Sequence, residues 1–395
     1  MKFKFKKLSA LSLLLILGLA AAVFFGLTPR YVEKSRNRLA LGNARLEITA
    51  PVKSLHQSLL IADLHSDSLL WNRNLANKSD YGHVDIARLI EGHISLQVFS
   101  VVTKTPKDLN PHRNTDETDN ITLLAIAQRW PIRTWFSLFE RAIYQAEKLH
   151  RVENAVPNKF QIIKTKYDLH TYLNRRKNTP QITAGLLSLE GAHALEGKLD
   201  NLDRLFAAGF RIIGLSHFFD NELGGSAHGA KKDGITEFGR KVVKRIQELG
   251  MFVDAAHASP QLMEDIFSLS TRPVLVTHTG IQAICPLSPR NLTDKQIQQV
   301  ANTGGLIGIG FWPTASCTVD ITGVVRSIRY VVELVGEDHV ALGSDFDGNV
   351  QVPFTAADMA QLTNSLVKAG FNQQQIGKIM GGNQIRILSN FLPNN

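Results

Sequence analysis

Cysteine is nearly missing from this chain, which has two, Cys285 and Cys317, in 395 residues. That scarcity excludes a zinc scaffold built on thiolates and a small disulfide-stapled domain, and leaves room for one disulfide outside the cytosol. Stripes of lysine and arginine interleaved with aromatics are also missing. The net charge of +9 includes Lys2, Lys4, Lys6 and Lys7 at one end, so +5 remains for the rest. Nucleic acid is therefore not an expected partner. Repeats and low-complexity segments are absent, and a composition of 44% hydrophobic and 20% charged residues is that of a folded chain.

Long uncharged apolar runs are absent too, with one exception at residues 8–27, LSALSLLLILGLAAAVFFGL. Such a run is long enough to span a hydrocarbon core as a helix. The lysines ahead of it favour an N-in orientation, with the remaining chain on the non-cytosolic side, periplasmic or extracellular. Ala20-Ala21-Ala22 could serve a signal peptidase. The run continues through Val23, Phe24 and Phe25, however, past the usual signal-peptide length, and we read an uncleaved anchor. The C-terminal FLPNN has no apolar tail, so a lipid anchor is not expected there.

We divide the chain into an anchor or signal segment (1–30), a polar and partly helical connector (31–57) and one large domain (58–395). The large domain holds eight apolar runs of strand character, at 58–64, 94–101, 184–189, 211–216, 251–256, 273–277, 305–311 and 339–344. Unbroken apolar runs suit parallel strands buried on both faces. Segments of helical period lie between most of them, among them 234–249, 260–270, 293–303 and 319–336. Strands alternating with helices imply βαβ units, and eight such units fit an α/β fold, a closed (β/α)₈ barrel of the TIM type. The stretch 102–183 is long. Its ITLLAIAQRW and FERAIYQAEKL portions read as helical, giving a helical excursion between the second and third strands.

Metal-ligand residue types recur at the ends of these runs. His65 and Asp67 end the first, Glu190 the third, His217 the fourth, His257 the fifth, His278 the sixth and Asp345 the eighth. In a barrel all C-terminal strand ends open onto one face, where active sites sit. Imidazole and carboxylate together suit zinc or a similar divalent ion. Singly, each residue has a plainer explanation. A histidine at a strand end is usually a loop or core residue, Glu190 could favour a helix N-terminus, and Asp345 and Asp347 lie in a turn-like DFDG. Jointly, ligand types on six of eight runs read as a metal site. His83, His93, His193, His228 and His339 are read as structural or surface residues, with His228 the nearest to a functional reading.

On DLHSD, HVDI (83–86), LEGAHAL, LSHFFDNELGGSAHG, DAAHAS, THTG, PRN (289–291) and GSDFDG, the sequence resembles the membrane (renal) dipeptidases. These are zinc metallopeptidases of the amidohydrolase-type barrel, and the resemblance runs over about residues 55–392. It implies two zinc ions, one on His65 and Asp67, the second on His257 and His278, and Glu190 bridging both. It also implies substrate contacts from His217 and Arg290, the latter to the substrate carboxylate, and a proton shuttle at Asp345. The implied reaction is hydrolysis of a dipeptide with a free C-terminal carboxylate to two amino acids. Cys285 follows the sixth strand and Cys317 the seventh, so their loops would be neighbours. Mammalian relatives look to have cysteines in the same two loops, and a disulfide is expected.

The sequence departs from the family in two places. Mammalian members carry a C-terminal lipid anchor, and the excursion at 102–183 matches poorly, so side-chain preference is not carried over. Two rival functions stay open. One is another metal hydrolase on this barrel, acting on a lactone, cyclic amide or phosphoester. Such relatives often use a modified lysine as the bridge, and no lysine stands at these strand ends. The other is a non-catalytic, membrane-anchored binding protein, which the loss of ligands would favour. A homodimer is left open.

Overall fold

The computed structural model describes residues 10–40 and 47–394. Eight parallel strands close into a barrel in chain order: β1 (Ile61–Ser66), β2 (Ile94–Val102), β3 (Thr183–Glu190), β4 (Phe210–Gly214), β5 (Phe252–Asp254), β6 (Leu275–Thr279), β7 (Leu306–Ile309) and β8 (Val340–Leu342). The ring closes where Leu342 pairs with Asp63. β2 and β3 stay in step from Leu96↔Ala184 to Val102↔Glu190, which sets Glu190 level with the mouth. Every residue of these strands is buried, as helices cover the outside and side chains fill the inside.

Several of the helices that cover the barrel begin where the sequence offers caps. Thr236, Ser259, Thr293 and Asp320 accept amide hydrogens at the starts of Glu237–Glu248, Pro260–Leu269, Asp294–Asn302 and Ile321–Val335. The first of these buries Val242, Val243 and Ile246 on one face. Each such side chain contributes roughly 1.5–3 kcal/mol when fully buried. A charge at position 243 would abolish that seam.

The excursion contains helices Ile121–Ala127, Arg133–Phe136, Leu138–Ala155 and Lys166–Asn178. It also contains a strand the sequence did not indicate, Phe160–Ile162, parallel to Thr183–Gly185. β4 joins β3 only from Leu187 onward, so the lower edge of β3 is open and this strand fills it. Three residues are too few to show a periodicity.

Ahead of the barrel a helical stretch runs from Ala10 to Arg36, with a π-helical part at Val23–Leu27. The helix Ser12–Arg36 contains a stretch long and apolar enough to cross a membrane. Leu13 to Leu17 and Leu19 are exposed. The lysines at 2–7 lie outside the described residues. Beyond Leu27 the chain docks on the barrel: Glu33 is buried, and Arg38–Leu39 pairs with Gln351–Val352.

Candidate active site

Strand ends and the loops just beyond them carry the ligand-type residues to one mouth. Glu190 and His278 lie within strands. His217, His257 and Asp345 each follow a strand by three residues. Alternation along β1 directs Asp63 and His65 to the same side, and Asp67 follows just beyond the strand end. Gly191 then lets the chain leave β3 at φ 93°, where a Cβ would lie 2.3 Å from the His193 ring. His257 and Asp345 adopt left-handed conformations, φ 64° and 59°. Non-glycine residues hold such conformations only where their surroundings over-determine them.

Glu190 is the centre of the cluster. Its Oε1 lies 2.9 Å from His257 Nε2, 3.2 Å from His278 Nε2 and 3.6 Å from His217 Nε2. Its Oε2 lies 3.6 Å from His65 Nε2, which in turn is 3.3 Å from Asp67 Oδ1. Despite these approaches, His65 Nε2, Asp67 Oδ1 and Glu190 Oε2 are buried and form no aligned hydrogen bond with a described residue. Buried polar atoms are ordinarily paired, and lone pairs converging without donors are what a cation satisfies. Three overlapping groups have ligand atoms within 4.8 Å of one another: His65, Glu190 and His278; Glu190, His217 and His257; His65, Asp67 and Asp345. Nitrogen and oxygen donors in this mix fit zinc.

The charges tell the same story. Burial and the Glu190 charge push Asp67 up to about 6. Burial and Asp67 push Asp345 well above the usual carboxylate range. Burial would also raise Glu190, but the protonated forms of His217 and His65 outweigh it in the acid range and hold Glu190 well below its ordinary value. Three crowded carboxylates in a dry site call for positive charge between them.

A layer beneath these side chains orients them, and the sequence patterning alone did not single it out. The Thr277 hydroxyl donates to Asp254 Oδ2 at 2.7 Å. Its oxygen can then accept from His65 Nδ1 at 3.2 Å and His278 Nδ1 at 3.1 Å. One hydroxyl thus sets two tautomers and turns both Nε2 lone pairs into the site. Asp63 likewise accepts from Ser344 Oγ at 2.6 Å and Gln97 Nε2 at 2.8 Å. The signal available was a polar residue inside an otherwise apolar run, which must have partners once buried.

Arg290, from the loop after β6, lies against the His257 ring and donates from Nη2 to the His278 carbonyl at 2.6 Å. It stacks 5.0 Å from the Trp312 ring centroid, and its Nε has no partner among the described residues. His228, read from sequence as structural or surface, instead lines the cleft, its ring 5.4 Å from His257. Cys285 and Cys317 form a disulfide with Cα atoms 5.1 Å apart, bracing the loops that flank Arg290 and Trp312. The cleft above the cluster has a volume of about 1000 Å³.

Residues 49–392 match the family of membrane dipeptidases, peptidase family M19. The "uncharacterized protein in pqqA 5'region" of Klebsiella pneumoniae is 33% identical over 226 residues, which are 53% of this chain and 83% of that protein. Dipeptidase aclJ of Aspergillus oryzae is 27% identical over 365 residues, covering 85% of this chain and 81% of its own. A metallo peptidase from Rhodobacter sphaeroides, solved with a phosphinate mimic of the dipeptide L-Ala-D-Ala, superposes with a TM-score of 0.68. It is 23% identical, and the match covers 84% of this chain and 98% of that one, a likeness of fold. The chain belongs to the membrane dipeptidase family, peptidase family M19, and is a metallo-dipeptidase, a hydrolase of peptide bonds.

Proposed function

We propose that this enzyme is a dinuclear zinc dipeptidase acting on dipeptides with a free C-terminal carboxylate. The observation that carries the reading is the convergence of His65, His257 and His278 on the two oxygens of Glu190. His65, Asp67 and Glu190 would hold one zinc ion, and Glu190, His257 and His278 the other. Zinc bound there would supply an activated water and Lewis acidity toward the scissile carbonyl.

The remaining roles fall to the chain itself. Burial pushes His217 down to about 4, so it is neutral at physiological pH and keeps an N–H to donate to the carbonyl oxygen as charge develops. Asp345 accepts the proton of the attacking water and delivers it to the leaving amine. Arg290 holds the C-terminal carboxylate with its guanidinium, whose fork fits two oxygens at once. That contact limits substrates to short peptides whose carboxylate sits near the metals. The apolar helix anchors the enzyme, with the barrel on the non-cytosolic side.

The deciding experiment assays the full chain in detergent, loaded with zinc, against L,L- and L,D-dipeptides and their C-terminal amides. Hydrolysis of free dipeptides, with amides poorly cleaved, is expected. Arg290→Ala should raise KM for free dipeptides and erase that preference. Equal cleavage of amides and free acids by the unaltered enzyme would refute the carboxylate role, and no hydrolysis of any dipeptide would refute the reading itself.

A further inference from the structure

Asp347, two residues beyond Asp345, takes no part in the ligand cluster, yet it is bonded on every side. Its Oδ2 accepts from Ser68 Oγ at 2.7 Å and from Arg73 Nη2 at 2.6 Å. Its Oδ1 accepts from the His83 N–H at 2.6 Å, and its own N–H donates to His83 Nδ1 at 2.9 Å. Trp71 Nε1 donates to its carbonyl at 2.6 Å. These bonds hold an unfavourable backbone, since Asp345, Asp347 and Asn349 all have φ between 59° and 63°. Left-handed conformation costs on the order of 1 kcal/mol per residue outside glycine, less for Asp and Asn. Between them stands Gly348, where a Cβ would lie 1.9 Å from Asp345 Oδ1.

The other side of this loop is held from more than 300 residues away in sequence, by the segment that follows the apolar helix. Asn37 Oδ1 accepts from the Asn349 N–H at 2.9 Å. The Arg38 N–H donates to the Val350 carbonyl at 3.1 Å, and the Ala40 N–H to the Val352 carbonyl at 2.9 Å. Glu33, 1% exposed, accepts from Arg73 Nε, so Arg73 is shared between Glu33 and Asp347. A buried arginine divided between two carboxylates is directed by both. Without Glu33 the guanidinium keeps Asp347 and the Val84 carbonyl, to which Nη1 donates at 2.6 Å, but loses the partner of its Nε edge, so its bond to Asp347 Oδ2 is less closely directed.

We infer that Glu33 is a positioning residue of the active site, acting through Arg73 and Asp347 to fix the 345–349 backbone and the direction of the Asp345 carboxylate. The inference rests on the reading of Asp345 as the proton carrier. It makes the end of the anchor helix part of the catalytic machinery. Glu33 would otherwise be a plain structural ion pair, tying the N-terminal segment to the barrel.

The test uses the full chain in detergent with zinc, comparing the unaltered enzyme with Glu33→Ala and Glu33→Gln. Glu33→Ala should lower kcat on the order of 10- to 100-fold with KM and zinc content nearly unchanged, as a displaced catalytic group does. Hydrogen exchange should accelerate in the 345–352 peptide and stay slow in the barrel strands. Glu33→Gln should lose less, because its amide oxygen still accepts from Arg73 Nε, and it carries the comparison if the alanine variant does not fold. Unaltered kcat and exchange in the variants would overturn the inference. So would a loss of kcat matched by loss of zinc or by faster exchange throughout the barrel, which marks a residue that only supports the fold. Should the unaltered enzyme cleave no dipeptide, the proposed reaction fails, and the exchange comparison still decides whether Glu33 holds the loop.

Discussion

The Nε2 atoms of His257 and His278 face each other 3.2 Å apart, with Glu190 Oε1 within 3.2 Å of both. Thr277 Oγ1 accepts from the Nδ1–H of His278, so His278 Nε2 presents a lone pair at this point. A cation at the meeting point would relieve the opposition. The full chain should therefore retain close to two zinc ions, measured by elemental analysis after exhaustive dialysis. Glu190→Gln should weaken both sites, whereas His278→Ala should empty one. A chain that takes up no divalent metal would sink the proposal.

On the proposed mechanism, a variant at Asp345 should separate chemistry from metal retention. Its carboxyl is raised by burial and Asp67, the setting of a group that exchanges protons. Asp345→Asn should keep most of the zinc and lose turnover by about 10²–10⁴-fold, because an amide cannot carry the proton. Full turnover in this variant would move the shuttle to another residue.

The disulfide between Cys285 and Cys317 spans 32 residues. Closing a loop of that length removes enough chain entropy to be worth roughly 3–4 kcal/mol, less any strain. Asn291 Nδ2 reinforces the junction, donating to the Cys285 carbonyl at 2.6 Å and the Thr314 carbonyl at 2.8 Å. The Cys285→Ser/Cys317→Ser variant should lose stability of that order in denaturant titration. Mass spectrometry of non-reduced peptides, from enzyme exported to an oxidising compartment, should show the pair linked. Two free thiols there would contradict both the bond and the topology.

His56 and His83 give the fold a pH dependence. Burial, the largest influence on each, pushes both down from 6.5 to about 4. Unfolded, they take up protons near 6.5; folded, they refuse them until about 4. Their stabilisation is complete above the unfolded value, declines as pH falls from 6.5 to 4, and is lost below. Each contributes on the order of 3 kcal/mol. The denaturation midpoint should fall across this window, and His56→Gln should flatten part of the slope. A midpoint independent of pH there would show that these imidazoles are hydrated.

The convergence of the ligand-type residues was legible because a (β/α)₈ barrel turns a linear rule into a spatial one. Apolar runs mark parallel strands, and the residues just past them meet at one mouth, so His65, Glu190, His257 and Asp345 could be associated before any coordinate was known. The helices at 234–249, 260–270, 293–303 and 319–336 followed from their period. The strand Phe160–Ile162 did not, because three residues carry no period and only the open edge of β3 calls for them. The layer under the site was hidden for a related reason. Asp254 and Thr277 each look like one polar residue in an apolar run, and their purpose depends on which groups barrel closure sets beside them. Glu33 is the extreme case. In sequence it is one acidic residue in a polar connector, and nothing local distinguishes it from Glu47. Tertiary structure alone places it on Arg73, because the pairing of residues 38–39 with 351–352 lays the segment around Glu33 against the barrel mouth. Sequence by itself determined which atoms could bind metal, since ligand chemistry is a property of residue type. Their orientation, protonation and support were decided by contacts between distant segments, which exist only once the barrel has closed.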